Sequence, residues 1–172
     1  MLVVKYLLPT PIGCMEISGS ELGVLTAQIF EDRETSSDSG AMEVAELPEN
    51  HPVAACARQV AEYFAGARQV FELKLDWNAA PDFQRRVWEE LLKIPFGKTA
   101  TYSEIAERVG NPTAVRAVGM ANRNNPIAIV VPCHRVIGKS GELRGYFYGL
   151  DTKMLLLRHE NPQRFAEQGE LF

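Results

Sequence analysis

The hydrophobic period of this 172-residue chain changes once, near residue 80, and that change confines it to two parts of different kind. Before residue 80 the apolar residues fall in short, partly alternating runs broken by Pro and Gly, the pattern of strands. After it they recur at the spacing of amphipathic helices. The first part holds predicted strands at 3–8 and 14–30, punctuated by Pro9, Pro11, Gly13, Gly19 and Gly23 as in a meander. Residues 31–50 are acidic and rich in Ser, a solvated loop. A helix is predicted over 52–65, with Pro52 at its start, Gly66 as terminator, and Val53, Cys56, Val60, Tyr63 and Phe64 along its apolar stripe. Residues 70–75 alternate as a strand, and Asn78–Pro81 is the linker.

The second part is predicted as helix 82–93 with Asp82 as N-cap, then a short helix to Val109 capped by Thr101 or Ser103. Gly110-Asn111-Pro112 makes a tight turn, and Thr113 caps a helix over 114–123. Two short helices about a Gly-containing turn form a helix-turn-helix candidate. Ile127–Val131 reads as a buried strand, 138–149 as a loop, and 152–160 as a last helix capped by Asp151. The expected division is 1–78, 82–160 and a tail, 161–172.

With 46% hydrophobic and 23% charged residues the chain can build a core, which excludes a disordered or collagen-like class. No apolar run approaches the roughly 18 residues of a membrane span. The N-terminal apolar run breaks at Lys5 and Pro9, a poor signal peptide, so the expected location is cytoplasmic. The net charge of −4 is unevenly spread. Residues 1–81 carry 5 basic and 12 acidic side chains, a balance of −7. Residues 82–160 carry 12 basic and 8 acidic, a balance of +4, so the second part is the one suited to phosphate.

Cys14, Cys56 and Cys133 form neither a disulfide framework nor a CxxC metal pair. Cys133 follows a buried run and lies between Pro132 and His134. A free cysteine is most often a small buried hydrophobe. A nearby base changes that, because the thiolate is the nucleophile. His134 is a candidate base and Glu160 a candidate orienting carboxylate. Neighbours on an extended strand point to opposite faces, so a Cys–His contact needs a bend at Pro132 or a bridging water.

Pro132-Cys-His-Arg-Val-Ile137 resembles the signature of the O6-alkylguanine-DNA alkyltransferases, also called methylated-DNA–protein-cysteine methyltransferases. The resemblance extends over Phe83-Gln84, Val87-Trp88, Ile94-Pro95, Arg116-Ala-Val-Gly119, Asn125-Pro126, Gly145-Tyr146, Gly149-Leu150 and Lys153, and loosely over Thr10-Pro-Ile-Gly13. It implies an α/β, ribonuclease-H-like N-terminal domain beside a mainly α, winged-helix-like helix-turn-helix domain. It implies single-turnover DNA repair, in which the alkyl group on O6 of guanine (chiefly methyl, with O4-methylthymine as a second lesion) moves to Cys133. It also implies roles: His134 as base through water, Glu160 behind it, and Tyr102 donating to guanine N3. The carbonyls of Cys133 and Val136 would accept from the base's amine, Tyr146 would wall the pocket, and Asn125 would be a hinge. Arg116 would replace the flipped nucleotide; Ser103 and Arg123 complete the candidate DNA-contacting set.

The helix 114–123 is rich in Ala and Gly, which suits the minor groove, about 6 Å wide, better than major-groove readout. Its bland alternative is an Ala/Gly row packed on a neighbouring helix with Arg116 solvated. The partner expected is double-stranded DNA, bound by a monomer, with no membrane and no cofactor. Cys14, His51 and Cys56 are too sparse for zinc. One departure stands out. The family has Gly-Tyr-X-Gly-Gly-Leu with a small X, and here Phe147 and Tyr148 replace X and the first paired glycine. That lost glycine is expected to demand φ > 0, which Tyr tolerates poorly. Three rival readings are a non-enzymatic binder of alkylated bases, a helix-turn-helix transcription factor and a cysteine hydrolase.

Overall fold

The computed structural model describes residues 1–31 and 46–166, so residues 32–45 of the predicted acidic loop lie outside the described residues. The chain divides into two compact units, Met1–Asn78 with Pro126–Val130, and Ala79–Asn125 with Val131–Phe172.

In the first unit β1 (Val4–Thr10), β2 (Gly13–Ser20) and β3 (Gly23–Phe30) form an antiparallel sheet in that order. Tyr6 stands opposite Ile17, and Ile17 opposite Ala27. The central strand β2 is buried along nearly its whole length, which is why its sequence does not alternate cleanly. Helix α1 (Pro52–Phe64) packs on β2 and buries Val53, Cys56, Val60 and Tyr63. His51 caps it, its Nδ1 accepting from Val53 N at 3.2 Å, and Gly66 at φ 77 ends the helix region.

Residues 70–75 do not form the predicted strand; only Leu75 bridges to Val24. The Gln59 side chain takes the place of a strand partner, donating to Glu72 O at 3.1 Å and accepting from Glu72 N at 2.9 Å. Ile127–Val131 is likewise no strand. Ala27 bridges Ile127, with Ala27 N donating to Pro126 O and Ala128 N donating to Ala27 O. The backbone then turns at Ile129, which has φ 71, as Val130 N donates to Ala128 O at 2.8 Å. This is a γ-turn of the rarer positive-φ kind, and at a β-branched residue it is strained.

The second unit contains α2 (Asp82–Leu91), α3 (Tyr102–Arg108), α4 (Val115–Arg123), α5 (Leu150–Glu160) and α6 (Pro162–Ala166). Two short strands, β4 (Ala100–Thr101) and β5 (Val136–Ile137), pair in parallel. Helices α2, α3 and α4 pack together over Val87, Leu91, Ile105, Ala106, Val118 and Ala121. Trp88 Nε1 donates to Ala121 O at 2.8 Å, which ties α2 to α4. Thr101 caps α3 in a reciprocal box with Glu104. Three predicted caps are corrected. Pro81, not Asp82, caps α2, and Asp82 faces Arg85 and Arg86. Ala114, not Thr113, caps α4, because the Thr113 hydroxyl bonds Asn111 Oδ1. Gly149, at φ 94, caps α5 in place of Asp151. Beyond residue 160, α6 carries Phe165 into a buried cluster with Ile137, Met154 and Leu157. Among the described residues no helix is long and apolar enough to cross a membrane.

Candidate active site

Pro132, at φ −82 and ψ 63, bends the chain, and Cys133 N donates back to Val131 O at 2.8 Å. The bend starts a 3-10 turn, Cys133–Arg135, so cysteine and histidine are not on an extended strand. Successive side chains on such a turn are about 120° apart rather than opposed. Cys133, His134 and Arg135 are all buried.

The carboxylate of Glu160, at the end of α5, gathers the turn. His134 Nε2 lies 2.7 Å from Oε1, Arg135 Nε 2.8 Å from Oε2, and Arg135 Nη2 2.9 Å from Oε1. Gly97 N donates to Oε2 at 3.3 Å, and Arg135 Nη1 donates to Ile94 O at 2.6 Å. Burial pushes this carboxyl up, but His134 and Arg135 outweigh it and hold it well below the usual carboxylate range. An ionised carboxylate only accepts, so Nε2 carries the imidazole proton. Burial lowers the His134 pKa against the pull of Glu160, so the ring is neutral near pH 7. Its Nδ1 is buried and meets no hydrogen-bond partner among the described residues. A neutral imidazole with that lone pair uncommitted is a competent base. Both His134 and Glu160 are buried.

Asn125 Nδ2 donates to Val131 O at 2.8 Å and to Cys133 Sγ at 3.1 Å. Burial raises the thiol pKa; the Asn125 bond, the Lys153 charge and the Tyr146 hydroxyl act against that rise. The buried thiol therefore needs a base to ionise. Cys133 O accepts from Asn122 Nδ2 at 3.2 Å, and Val136 O from Lys153 Nζ at 2.6 Å. Cys133 O also accepts from Val136 N within the turn, so both of its lone pairs are engaged. Lys153 also donates to Arg144 O at 2.9 Å and lies 5.9 Å from the Tyr102 ring. Burial brings its pKa down to about 8. The Tyr102 hydroxyl reaches Arg144 O at 3.5 Å, and burial, then the neighbouring Cys133, raises its pKa.

The structure thus brings the buried Cys133, His134, Glu160, Asn125 and Val136 into one neighbourhood with the half-buried Tyr102 and Tyr146. Arg116 and Arg123 are exposed on α4, and Ser103 is half-buried in the first turn of α3. The Ala/Gly row of α4 is divided: Ala121 packs among α2 and α3, whereas Ala117 is exposed and a Cβ on Gly119 would meet open space. Tyr148 does not have positive φ, since Ile129 alone does among the described non-glycine residues, and Gly149 takes that conformation. The expected strain at 148 is therefore overturned. Phe147 is exposed and Tyr148 half-buried. Sequence reasoning missed Asn122 and the role of Lys153. A lysine in a buried stripe with Met154, Leu156 and Leu157 is the trace that pointed to the latter. His51 Nδ1 is used as a helix cap, and among the described residues no group of three or more His, Cys, Asp or Glu is placed to hold a metal.

Two family profiles match the chain. The 6-O-methylguanine DNA methyltransferase, ribonuclease-like domain, matches residues 3–77. The 6-O-methylguanine DNA methyltransferase, DNA binding domain, matches residues 82–162. The chain is 46% identical over 154 residues to the methylated-DNA--protein-cysteine methyltransferase of Mycobacterium leprae, covering 90% of each. The crystal structure of Mycobacterium tuberculosis O6-methylguanine methyltransferase superposes with a TM-score of 0.79 at 40% identity, covering 94% of each chain. The crystal structure of Mycobacterium tuberculosis OGT in complex with DNA gives a TM-score of 0.77 at 39% identity, over 93% of this chain and 92% of that one.

Proposed function

From the premise that the chain belongs to the 6-O-methylguanine DNA methyltransferase family, we propose that Cys133 is the sulfur that takes the alkyl group from O6 of guanine in DNA. The activity is repair of methylated DNA by transfer to a protein cysteine, and the partner is DNA. The observation that carries the assignment is the single buried turn that places Cys133, against Asn125, beside a neutral His134 held by Glu160.

His134 Nδ1 takes the thiol proton through a water, while Nε2–H stays on Glu160. The thiolate attacks the alkyl carbon in line. The S–C bond forms as the C–O6 bond breaks, and its electron pair leaves on the guanine. Tyr102 donates toward N3 and is reprotonated from the proton the thiol gave up, so the net change is thiol plus alkylguanine to thioether plus guanine. The base's amine donates to Val136 O and to Cys133 O, sharing the latter with the donors already on it, Asn122 Nδ2 and Val136 N, and Tyr146 walls the pocket. A thioether has no easy leaving step, so each molecule acts once, without a cofactor.

An alkyl carbon in the base stack is out of reach of a protein sulfur, so the nucleotide is flipped out. The exposed Ala117 and open Gly119 let α4 approach the minor groove closely, with Arg116 entering the stack. Ser103 and Arg123 touch the backbone, and Phe147 and Tyr148 stand at the pocket. All these groups come from one chain, which suits a monomer, and the reducing cytoplasm suits a free thiol. The test is a duplex carrying one O6-methylguanine. The wild-type protein should restore one guanine per molecule and stop. Cys133→Ala should still bind but restore none; restoration by that variant would overturn the assignment.

A further inference from the structure

Oδ1 of Asn122 and Nδ1 of His134 are both buried, and neither meets a hydrogen-bond partner among the described residues. Both residues adjoin Cys133. His134 follows it in the 3-10 turn, and Asn122, in the last turn of α4, donates from Nδ2 to Cys133 O at 3.2 Å. A carbonyl only accepts, so the amide must face it with its nitrogen, and Oδ1 is the end left over. The backbone that carries this amide is held on α2, because Trp88 Nε1 donates to Ala121 O, one residue earlier, at 2.8 Å. Asn122 is 3% exposed and His134 0%, so bulk water does not supply the missing donors. A buried acceptor without a donor is costly to keep. Two of them beside one cysteine suit a single small donor, and a water has two O–H bonds. Its oxygen can accept a third bond from the thiol, and about three hydrogen bonds are usual for a buried water.

We propose that Asn122 is a positioning residue of the transfer: its Oδ1 accepts from the water that carries the Cys133 proton to His134 Nδ1, and so aims that water. The inference rests on the reading of Cys133 as acceptor and His134 as its base. The water accepts from the thiol S–H and donates one O–H to Nδ1 and the other to Oδ1. Without the third bond it is free to turn, and its O–H meets Nδ1 only part of the time. In the step the S–H bond breaks and its electron pair stays on sulfur. The thiol proton joins the water oxygen as one of the water's own protons passes to Nδ1, so the water is restored. Asn122 accepts throughout and takes no proton. An amide is suited to this place because it is neutral: it fixes the water without opposing the negative charge that forms on sulfur.

The experiment measures single-turnover methyl transfer from a duplex carrying one O6-methylguanine, at saturating protein, from about pH 7 to about pH 9.5. Wild type, Asn122→Leu, Asn122→Ala, His134→Phe and the double variant Asn122→Leu with His134→Phe are compared, each checked for folding by circular dichroism. The titratable and charged groups facing the relay are Glu160 and Arg135 on His134, and Lys153, Tyr102 and Tyr146 on Cys133. All of them stay in place in Asn122→Leu, so their titration cancels in its ratio to wild type. Asn122→Leu should be slower by about tenfold at pH 7, the worth of one hydrogen bond to the relay. That deficit should shrink by about threefold or more toward pH 9.5, where hydroxide takes the thiol proton directly. His134→Phe should lose about 10²–10⁴-fold, and adding Asn122→Leu to it should cost less than about twofold more, because the water then has no base to be aimed at. A deficit that does not change with pH, or a full tenfold loss repeated in the His134→Phe background, overturns the proposal and leaves Asn122 only the Cys133 carbonyl to hold. Asn122→Leu as fast as wild type overturns it too, and in all three cases the acceptor reading stands. Absence of methyl transfer by the wild-type protein overturns both. Should Asn122→Leu not fold, Asn122→Ala is judged by its pH dependence in the same way, and should His134→Phe be too slow to time, the pH dependence decides alone.

Discussion

Replacing Glu160 by Gln keeps the shape of the side chain and removes one charge, and the structure says what that must do. The carboxylate accepts from both His134 Nε2 and the Nε and Nη2 of Arg135, and its side chain is 1% exposed. An amide offers one oxygen. Its NH2 then faces either the His134 N–H or the Arg135 fork, donor against donor, and the buried guanidinium loses its counter-charge. Removing one partner of a buried pair costs about 3–5 kcal/mol. At about 2–4 °C per kcal/mol for a chain of this size, Tm should fall by about 6–20 °C. Arg135→Met with Glu160→Gln removes the stranded charge as well, so the double variant should be more stable than Glu160→Gln alone. The sign with pH is also fixed. The folded carboxyl lies well below its ordinary value of 4.5, so its contribution is complete above that value and fades as pH falls below it. The gap between wild type and Glu160→Gln, followed by urea denaturation from pH 7 to pH 3, should therefore narrow below about pH 4.5. A loss under about 1 kcal/mol at pH 7, the size typical of an exposed pair, would refute the reasoning, as would a double variant weaker than the single.

Other outcomes follow from the same geometry. The Lys153 pKa is lowered by burial from 10.5 to about 8, so between these values the unfolded chain binds more protons. Stability from this group should rise with pH across that window, and Lys153→Met should remove the rise in a urea series. Trp88→Phe deletes the bond to Ala121 O and should cost about 1–2 kcal/mol, read as a lower urea midpoint at unchanged m. Arg116→Ala should slow repair of duplex DNA more than reaction with free O6-methylguanine base, because only the duplex requires flipping. Equal loss on both substrates in single-turnover assays would remove the finger role. Binding should be salt-sensitive and nearly independent of sequence, checked by titrating two unrelated duplexes at several salt concentrations.

Much of the scaffold is written in local pattern. The stripe Val53, Cys56, Val60, Tyr63 specifies α1, and the Thr101–Glu104 spacing marks the start of α3. What the sequence hides are partners supplied by the fold. Five apolar residues at 127–131 look like a buried strand, but burial alone does not choose between a strand and a pair of tight turns, and Ile129 takes the turn. Residues 70–75 alternate as a strand would, yet Gln59 fills the bonds a neighbouring strand would have made. Asp82 and Thr113 are good capping residues whose side chains found other partners, and Asp151 lies two positions inside the cap, Gly149. In the site, Cys133 and His134 are legible because they are adjacent. Asn122 was not, because it bonds to a backbone carbonyl, which leaves no mark in a sequence; Lys153 stands out as a lysine in an apolar stripe, but its carbonyl partner, Val136, does not. Arg135, also in the motif, pairs with Glu160, a partner 25 residues away that only the fold supplies.

The central claim is that one sulfur of three accepts the alkyl group. Cys14 and Cys56 are also buried thiols, and burial pushes Cys56 up to about 12, whereas Cys133 adjoins His134, whose Nδ1 has no hydrogen-bond partner among the described residues. Intact mass after incubation with excess O6-methylguanine duplex, followed by peptide mapping, tests this directly. The mass should rise by one methyl, about 14 Da, the net gain of CH2 when thiol becomes thioether. The gain should saturate at one per chain and map to the peptide bearing Cys133. A methyl on Cys14 or Cys56, or continued release of guanine from an unmodified protein, would contradict the account.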